Sequence, residues 1–253
     1  MPESTEENFN HLKIHTQYSI CEGAIKIDDL KDFSKDNKIR SLGLSDTMNL
    51  CGALEFAEKI SKTGTQPIIG TQINFKYNET EGLLPLFALN EKGYKRLIDL
   101  SSSSFLLNDK VSEPFLDLKI LLDNKNEGVS LFSGTINGLF GQMFNKGKFT
   151  EIKDLYLKLK SNFDDRFYIE IQRHGDQNEK IFEIFNLKYS KKYNIPIVAS
   201  QEVYYINQSM YEAHDALMCI GSKSYVNDKN RVKLTNQHYL KSSDEMLKVF
   251  SDL

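Results

Sequence analysis

The chain has 253 residues, of which 40% are apolar, and its formal net charge is -3. A composition with 16 Phe and 12 Tyr can build a large core, which excludes a wholly disordered chain. The slight acidic excess argues against an autonomous nucleic-acid-binding protein, because such proteins usually carry a basic excess.

Three well-separated cysteines, Cys21, Cys51 and Cys219, predict reduced thiols and a cytoplasmic protein. The acidic, polar N-terminus predicts that no signal peptide is present. No apolar run reaches the roughly 20 residues that a membrane span needs, so we expect no contact with a membrane.

Hydrophobic periodicity predicts strands that alternate with helices after a flexible arm at residues 1–8. The predicted strands are 9–15, 39–45, 67–75, 83–89, 128–133, 167–172 and 197–200. The predicted helices are 27–37, 51–62, 91–102, 116–122, one from about 150, 178–193, 210–220 and one that Ser242 caps with Glu245 in a capping box. The four-serine run at 101–104 is expected at the frayed end of its helix, and residues 223–240 are expected to be irregular.

Seven short apolar strands alternating with helices predict a parallel α/β fold. None of the seven strands has the polar pattern of an edge strand, which favours a closed barrel over an open sheet. No linker or change of composition divides the chain, so residues 9–253 are expected to form a single domain.

Polar residues follow most of the predicted strands, at the end where α/β barrels carry their functional sites. His11, Lys13 and His15 share one face of the first strand. The candidates at the other strand ends are Asp46, Thr47, Gln72, Ser133, Gln172, Arg173, His174, Gln201, Glu202 and Tyr204. This is a poor metal site, because the ammonium group of Lys13 repels a cation and Gln72 offers only a neutral oxygen.

Several candidates also have a purely structural interpretation. His15 fits a hydrogen-bonded core histidine, and Asp46 could cap the helix that begins near Cys51. His174 could belong to a turn with the glycine that follows it, and the mid-helix His214 is interpreted as structural.

Two further patterns give little support for nucleotide or nucleic-acid binding. The glycines at 134, 138 and 141 do not match a phosphate-binding loop. The basic residues are scattered, and Lys188, Lys191 and Lys192 are typical of a solvated helix face.

The motifs, taken in order, resemble those of the polymerase-and-histidinol-phosphatase (PHP) domain family, in the form found at the N-terminus of bacterial DNA polymerase III alpha subunits. Residues 11–19, HLKIHTQYS, followed by GAIKI at 23–27, resemble the first PHP motif. The second and third motifs are matched by SDTMNLCGA at 45–53 and PIIGTQ at 67–72. Segments similar to ones particular to the polymerase lie at 90–94 with Leu97, at 165–175, at 213–217 and at 239–242.

The resemblance implies a distorted seven-stranded (β/α) barrel of the PHP type and a cleft that holds a metal cluster in some members. This chain departs from the ligand pattern at Lys13, Thr47, Gln72, Glu202 and Tyr204, while His15 and Asp46 remain and His174 corresponds to a further ligand. These eight positions are therefore expected to form a vestigial cleft with no metal, no cofactor and no catalytic residue. Lys13 is expected to pair with Asp46 or Glu202 in place of the metal.

The resemblance further implies a non-catalytic scaffold in DNA replication. Such a domain braces the palm and thumb of the alpha subunit, docks the proofreading exonuclease subunit, and meets DNA only in the full-length context. The full-length protein is a DNA-directed DNA polymerase, a nucleotidyltransferase, but this chain ends where the palm would follow and is not expected to polymerise DNA. The alternatives are a metal-dependent phosphoesterase or 3′–5′ exonuclease of the PHP superfamily, and a short independent scaffold protein.

Overall fold

The computed structural model describes residues 9–107, 113–123 and 126–253, so the predicted arm at 1–8 lies outside the described residues. The strands are β1 Lys13–Ile14, β2 Ser41–Thr47, β3 Gln66–Tyr77, β4 Thr80–Ala88, β5 Leu116–Asp117, β6 Val129–Phe132, β7 Phe167–Gln172, β8 Ile197–Ser200 and β9 Glu202–Val203. The α-helices are α1 Ile27–Asp36, α2 Ala53–Ser61, α3 Glu91–Leu106, α4 Lys119–Leu122, α5 Leu139–Asn145, α6 Phe149–Phe163, α7 Gln177–Tyr193, α8 Tyr211–Ser222 and α9 Ser243–Val249. Among the helices of these segments, none combines the length and apolar character of a membrane span.

The main sheet is curled and mixed, with the strand order β2-β3-β4-β6-β7-β8, and β5 pairs with β3. Strand β4 is antiparallel to both of its neighbours, while the β2–β3, β6–β7 and β7–β8 pairs are parallel. The α/β prediction is confirmed, and the curled half-barrel of the main sheet is consistent with the predicted barrel. The wholly parallel arrangement is wrong at β4. The cause is local, because Tyr77 pairs with Thr80 and the two residues between them are too few for a parallel crossover.

Strands β1 and β9 form a separate parallel pair in which Lys13 lies opposite Glu202 and Ile14 opposite Val203. The first strand is much shorter than the predicted 9–15. The backbone of Phe9 forms hydrogen bonds with the side chain of Ser243 at the start of α9. These contacts hold the residues before β1 away from pairing with a neighbouring strand. The amide of Gly43 in β2 donates to the carbonyl of His11, so β1 lies between β2 and β9.

Apolar residues of helices and strands form two cores. The larger core lies around β3, β4, β6 and β7 and includes Leu84, Leu131, Tyr156 and Phe167, each with no exposed surface. The smaller core packs α1 and α2 against β1 and β2. Both cores support the strands whose ends carry the polar residues. Burial of this kind stabilises the folded state by about 25 cal/mol for each Å² of apolar surface removed from water.

Two further predicted elements need correction, and one helix was missed. Helix α3 extends to Leu106, so the serine run lies inside it, where Leu100 and Ser104 are buried against the core. The segment predicted as a helix at 116–122 is divided into β5 and α4. Helix α5 was not predicted because its seven residues are largely buried and show no polar face to give a period. The capping box of Ser242 and Glu245 is confirmed.

Candidate functional site

A buried charged cluster lies where β1, β7 and β9 meet. We call Lys13, Glu170 and Glu202 the lysine–carboxylate cluster. The Nζ atom of Lys13 lies 3.3 Å from Oε1 of Glu170 and 3.5 Å from Oε1 of Glu202. The side chains of Lys13 and Glu170 have no exposed surface, and that of Glu202 is 11% exposed. One ammonium group therefore neutralises part of the charge of two buried carboxylates.

His15 and Gln72 complete the surroundings of Glu202. The Nε2 atom of His15 lies 3.1 Å from Oε1 of Glu202, and the Gln72 amide donates to the same oxygen at 2.5 Å. Burial raises the pKa of Glu202, but the Lys13 ammonium and the bonds from His15 and Gln72 outweigh it and hold that pKa well below its usual value. Glu202 is therefore a carboxylate at neutral pH.

Glu170 is held from several directions. Its Oε1 accepts hydrogen bonds from the Ser200 hydroxyl and, at 2.9 Å, from the Gln172 amide, while its backbone amide donates to the Ser133 hydroxyl. No partner of Oε2 is found in the described segments. Ser133 and Gln172, both candidates from the sequence, thus serve to fix Glu170.

Asp46 lies outside the lysine–carboxylate cluster. Its Oδ1 accepts from the Thr16 amide and the Ser19 hydroxyl at 2.7 Å each, and its Oδ2 accepts from the Thr16 hydroxyl at 2.8 Å. The structure thus places Lys13 against Glu202 and Glu170, and the expected alternative of a Lys13–Asp46 pair is wrong. The capping interpretation is wrong too, because Asn49 is the residue that accepts from the amide of Cys51.

Thr47 and Tyr204 border the cluster. The Thr47 hydroxyl donates to Glu22 at 2.6 Å, and the ring of Tyr204 stacks on His15 with 4.5 Å between ring centroids. Burial, helped by Glu202 and Glu22, raises the pKa of Tyr204 well above its usual value, so its phenol stays protonated.

His174 is placed by both of its ring nitrogens. Nδ1 lies 2.7 Å from Glu179, Nε2 accepts from the backbone amide of Glu202, and the ring stacks on His238 at 3.9 Å. The left-handed Gly175 does make a bend after it, but His174 itself is buried. With both nitrogens occupied, His174 has no lone pair free for a metal.

The remaining sequence candidates make their contacts outside the lysine–carboxylate cluster. His11 bonds the carbonyl of Lys241, and burial lowers its pKa to about 4. His214 bonds the carbonyl of Glu22, as a structural histidine does. Arg173 binds Glu183 and Asp252, and Gln201 donates to the carbonyls of Gln237 and Tyr239.

The sequence did not single out Glu170, which is central to the cluster. The available signal was the alternation of β7, in which Glu170 lies two residues before the inward-facing candidate Gln172. His238 and Glu179 also escaped notice, because neither follows a predicted strand and their roles depend on tertiary contacts.

The metal cluster that the resemblance to PHP domains implies for some members does not fit these residues. The Lys13 ammonium occupies the position between the two carboxylates, and the oxygens of Asp46 are already used by hydroxyl and amide donors. Within 9–107, 113–123 and 126–253, no group of three or more His, Cys, Asp or Glu side chains is arranged to hold a metal ion.

Comparison with solved structures shows the fold. A proposed metal-dependent phosphoesterase from Bifidobacterium adolescentis superposes with a TM-score of 0.51 at 10% sequence identity, covering 96% of each chain. An amidohydrolase from Chromobacterium violaceum, solved with sulfate and no metal, gives a TM-score of 0.50 at 10% identity, over 82% of this chain and 96% of that one.

Comparison with other sequences gives the family. The PHP domain profile matches residues 11–174. The DNA polymerase III alpha subunit of Caulobacter vibrioides is 34% identical over 261 residues, which span 100% of this chain and 23% of that protein. That of Borreliella burgdorferi is 34% identical over 262 residues, which span 99% of this chain and 23% of the relative. The chain thus spans less than a quarter of the length of these curated relatives. It belongs to the PHP domain family and is similar along its whole length to the N-terminal region of DNA polymerase III alpha subunits.

Proposed function

We propose that this chain is the PHP domain of a replicative DNA polymerase III alpha subunit and that it acts as a non-catalytic scaffold. The domain runs from residue 9 to residue 253. The observation that carries the proposal is the position of Lys13, whose ammonium group lies between Glu170 and Glu202. A covalently attached cation there does the electrostatic work of a metal but cannot activate water for hydrolysis.

In the replicative polymerase, the scaffold would brace the palm and thumb and dock the proofreading exonuclease subunit. This role is supported by the similarity to alpha subunits over the whole chain. The place of action is the cytoplasm, where the bacterial chromosome is copied. The vestigial cleft consists of Lys13, His15, Asp46, Thr47, Gln72, His174, Glu202 and Tyr204, to which we add Glu170.

The catalytic part of the proposal is tested by elemental analysis of the purified chain together with a phosphodiesterase assay in zinc and in manganese. We expect less than about 0.1 equivalent of either metal, and no hydrolysis above the buffer rate. Near-stoichiometric metal together with metal-dependent hydrolysis would favour a phosphoesterase and overturn the proposal. The triple variant Lys13→His, Thr47→His and Gln72→Glu restores ligand types and is expected to bind zinc more tightly than the natural chain.

The docking part is tested separately, by titrating the chain with the proofreading exonuclease subunit of the same bacterium. A complex in size-exclusion chromatography supports docking. Absence of a complex at about 10 μM, an affinity weaker than roughly −7 kcal/mol, would remove the docking role and leave the non-catalytic assignment unaffected.

A further inference from the structure

An open groove lies past the end of β2, beside the lysine–carboxylate cluster. Two cavities form it, with volumes of about 480 Å³ and about 430 Å³, each within the range typical of ligand sites. Three residues line both cavities and join them into one groove: Glu22, Thr47 and Met48. We call it the Glu22 groove. Of the vestigial cleft residues that the structure describes, only Thr47 lines it.

The first cavity of the groove has an apolar rim. Ile20, in the turn between β1 and α1, lines this cavity and is 82% exposed. Phe105, near the end of α3, lines the same cavity and is 53% exposed. Two large apolar side chains this exposed at one cavity are typical of a surface that another molecule covers.

The rest of the groove is acidic. Glu22, Glu81 and Glu113 line it, and among its described lining residues there is no lysine or arginine. Glu81 is paired with Lys76 at 2.9 Å, whereas Glu22 and Glu113 have no ion pair in the described segments. Residues 108–112, which precede Glu113, contain one acidic and one basic residue and so add no net charge.

The turn that carries Ile20 is held firmly before any partner binds. Asp46 accepts hydrogen bonds from Thr16 and Ser19 on this turn. The carbonyl of Tyr18 accepts from the Asn49 side chain at 2.9 Å, and its hydroxyl donates to Glu55 at 2.7 Å. A rim whose position is already fixed loses little conformational freedom on binding, which favours affinity.

The charge and the apolar rim together select the occupant. Carboxylates repel phosphate groups, so nucleic acid and anionic lipid do not suit this groove. A symmetric dimer would set the acidic groove against itself, because both copies present the same surface. A small linear amine would neutralise Glu22 and Glu113 but leave Ile20 and Phe105 in water. A polypeptide segment with both apolar and basic side chains satisfies both parts.

We propose that the Glu22 groove docks a segment of a partner protein in which large apolar side chains stand beside lysines or arginines. The apolar side chains contact Ile20 and Phe105, and the basic side chains lie near Glu22 and Glu113. The inference rests on this groove alone and does not depend on the proposed scaffold role.

The test is fluorescence anisotropy of two labelled peptides of about ten residues, which span roughly 33 Å when extended. Each has a leucine-rich half and a lysine-rich half, in opposite chain orders, and is titrated with the 253-residue chain. At least one should bind with a Kd below about 100 μM at about 20 mM salt, and more weakly at about 300 mM salt.

The acidic part is tested by Glu22→Gln/Glu113→Gln, which should weaken binding at least about fivefold and reduce its salt dependence. The matched control is Glu58→Gln/Glu212→Gln. It makes the same change of charge at two exposed carboxylates that do not line the groove and have no ion pair in the described segments.

The apolar part is tested by Ile20→Ser/Phe105→Ser, which should weaken binding at least about fivefold with an unchanged salt dependence. Its matched control is Ile181→Ser/Ile184→Ser on α7, where both isoleucines are exposed but do not line the groove. Circular dichroism confirms that each variant is folded.

The proposal is overturned if neither peptide binds, or if either control weakens binding as much as the groove variant that it matches. It is also overturned if spermidine binds as tightly as the better peptide, or if a peptide with glutamates in place of the lysines does so. A dimer in sedimentation velocity that Ile20→Ser/Phe105→Ser dissociates would assign the groove to a second copy of this chain and overturn it too.

Discussion

Lys13 is fully buried, and its ammonium group has carboxylate neighbours on two strands. Taking an ammonium group out of water is costly, and the nearby carboxylates of Glu170 and Glu202 offset that cost. The same contact explains why the pKa of Glu202 is low in spite of burial. One residue of β1 therefore sets the surroundings of carboxylates about 160 and 190 positions away in the sequence.

Replacing Lys13 with Met should destabilise the chain by about 3–5 kcal/mol, because it leaves two buried carboxylates without a cation. Urea unfolding at pH 7 measures the loss. Adding Glu170→Gln and Glu202→Gln to Lys13→Met removes the unpaired charge and should recover more than half of it. A loss below about 1 kcal/mol for the single variant would show that the cluster is not a coupled charge group.

His11 makes folding sensitive to pH. Burial lowers its pKa from 6.5 to about 4, so the folded chain keeps a neutral ring where the unfolded chain takes up a proton. Stability is therefore fully present above pH 6.5 and falls as the pH drops toward 4.

We expect His11→Gln, which keeps a donor for the Lys241 carbonyl, to remove about 2 kcal/mol of the stability difference between pH 7 and pH 5. Urea unfolding at the two pH values gives the comparison. Burial also lowers the pKa of His214 and His238, so the variant keeps some pH dependence of stability. The measure is therefore the difference in pH dependence between the natural chain and the variant. If both proteins lose the same free energy of unfolding between pH 7 and pH 5, the role of His11 is contradicted.

At the scale of elements, the close approach of β1 to β2 depends on Gly43. A Cβ atom at this position would lie 2.4 Å from the carbonyl oxygen of Leu12, which is backbone and cannot rotate away. The absence of a side chain lets the amide of Gly43 reach the carbonyl of His11. This contact brings Lys13 to the side of the barrel where Glu170 and Glu202 lie.

Gly43→Ala should cost at least about 2 kcal/mol, since β1 must move away to make room. Ser45→Ala, on the same strand, is the matched control. The Ser45 hydroxyl is buried and has no hydrogen-bond partner in the described residues, so its removal should change stability by less than about 0.5 kcal/mol. Thermal unfolding of both variants checks the prediction, and equal effects would contradict it.

The elements that sequence periodicity predicted best are those with long amphipathic patterns or strong end signals. Strands β7 and β8 have the predicted bounds, and α9 begins after the predicted capping box. Periodicity failed where burial surrounds an element, as in α5, and where a strand is held by isolated contacts, as in β1. In both cases the deciding interactions come from distant parts of the chain.

At the scale of the whole molecule, the fold gathers side chains from both ends of the sequence, with Lys13 of β1 beside Glu202 of β9. Because Lys13 is covalently attached, we expect the stability of the fold to be independent of metal ions and chelators.

Differential scanning fluorimetry of the chain with EDTA and with zinc should show midpoints within about 1 °C of each other. The triple variant Lys13→His, Thr47→His and Gln72→Glu should instead gain about 5–10 °C when zinc exceeds its dissociation constant a hundredfold. A midpoint that EDTA lowers in the natural chain would contradict the prediction of a metal-free fold.

The sequence by itself determined the alternation of strands and helices and the family motifs, because these depend on local periodicity and residue type. Only the tertiary structure decided that Lys13 pairs with Glu170 and Glu202 and leaves Asp46 to Thr16 and Ser19. It also decided that β4 runs antiparallel to both of its neighbours. The physical reason is that an ion pair or a shared surface depends on distances between strands and helices, and contacts between distant parts of the chain set those distances.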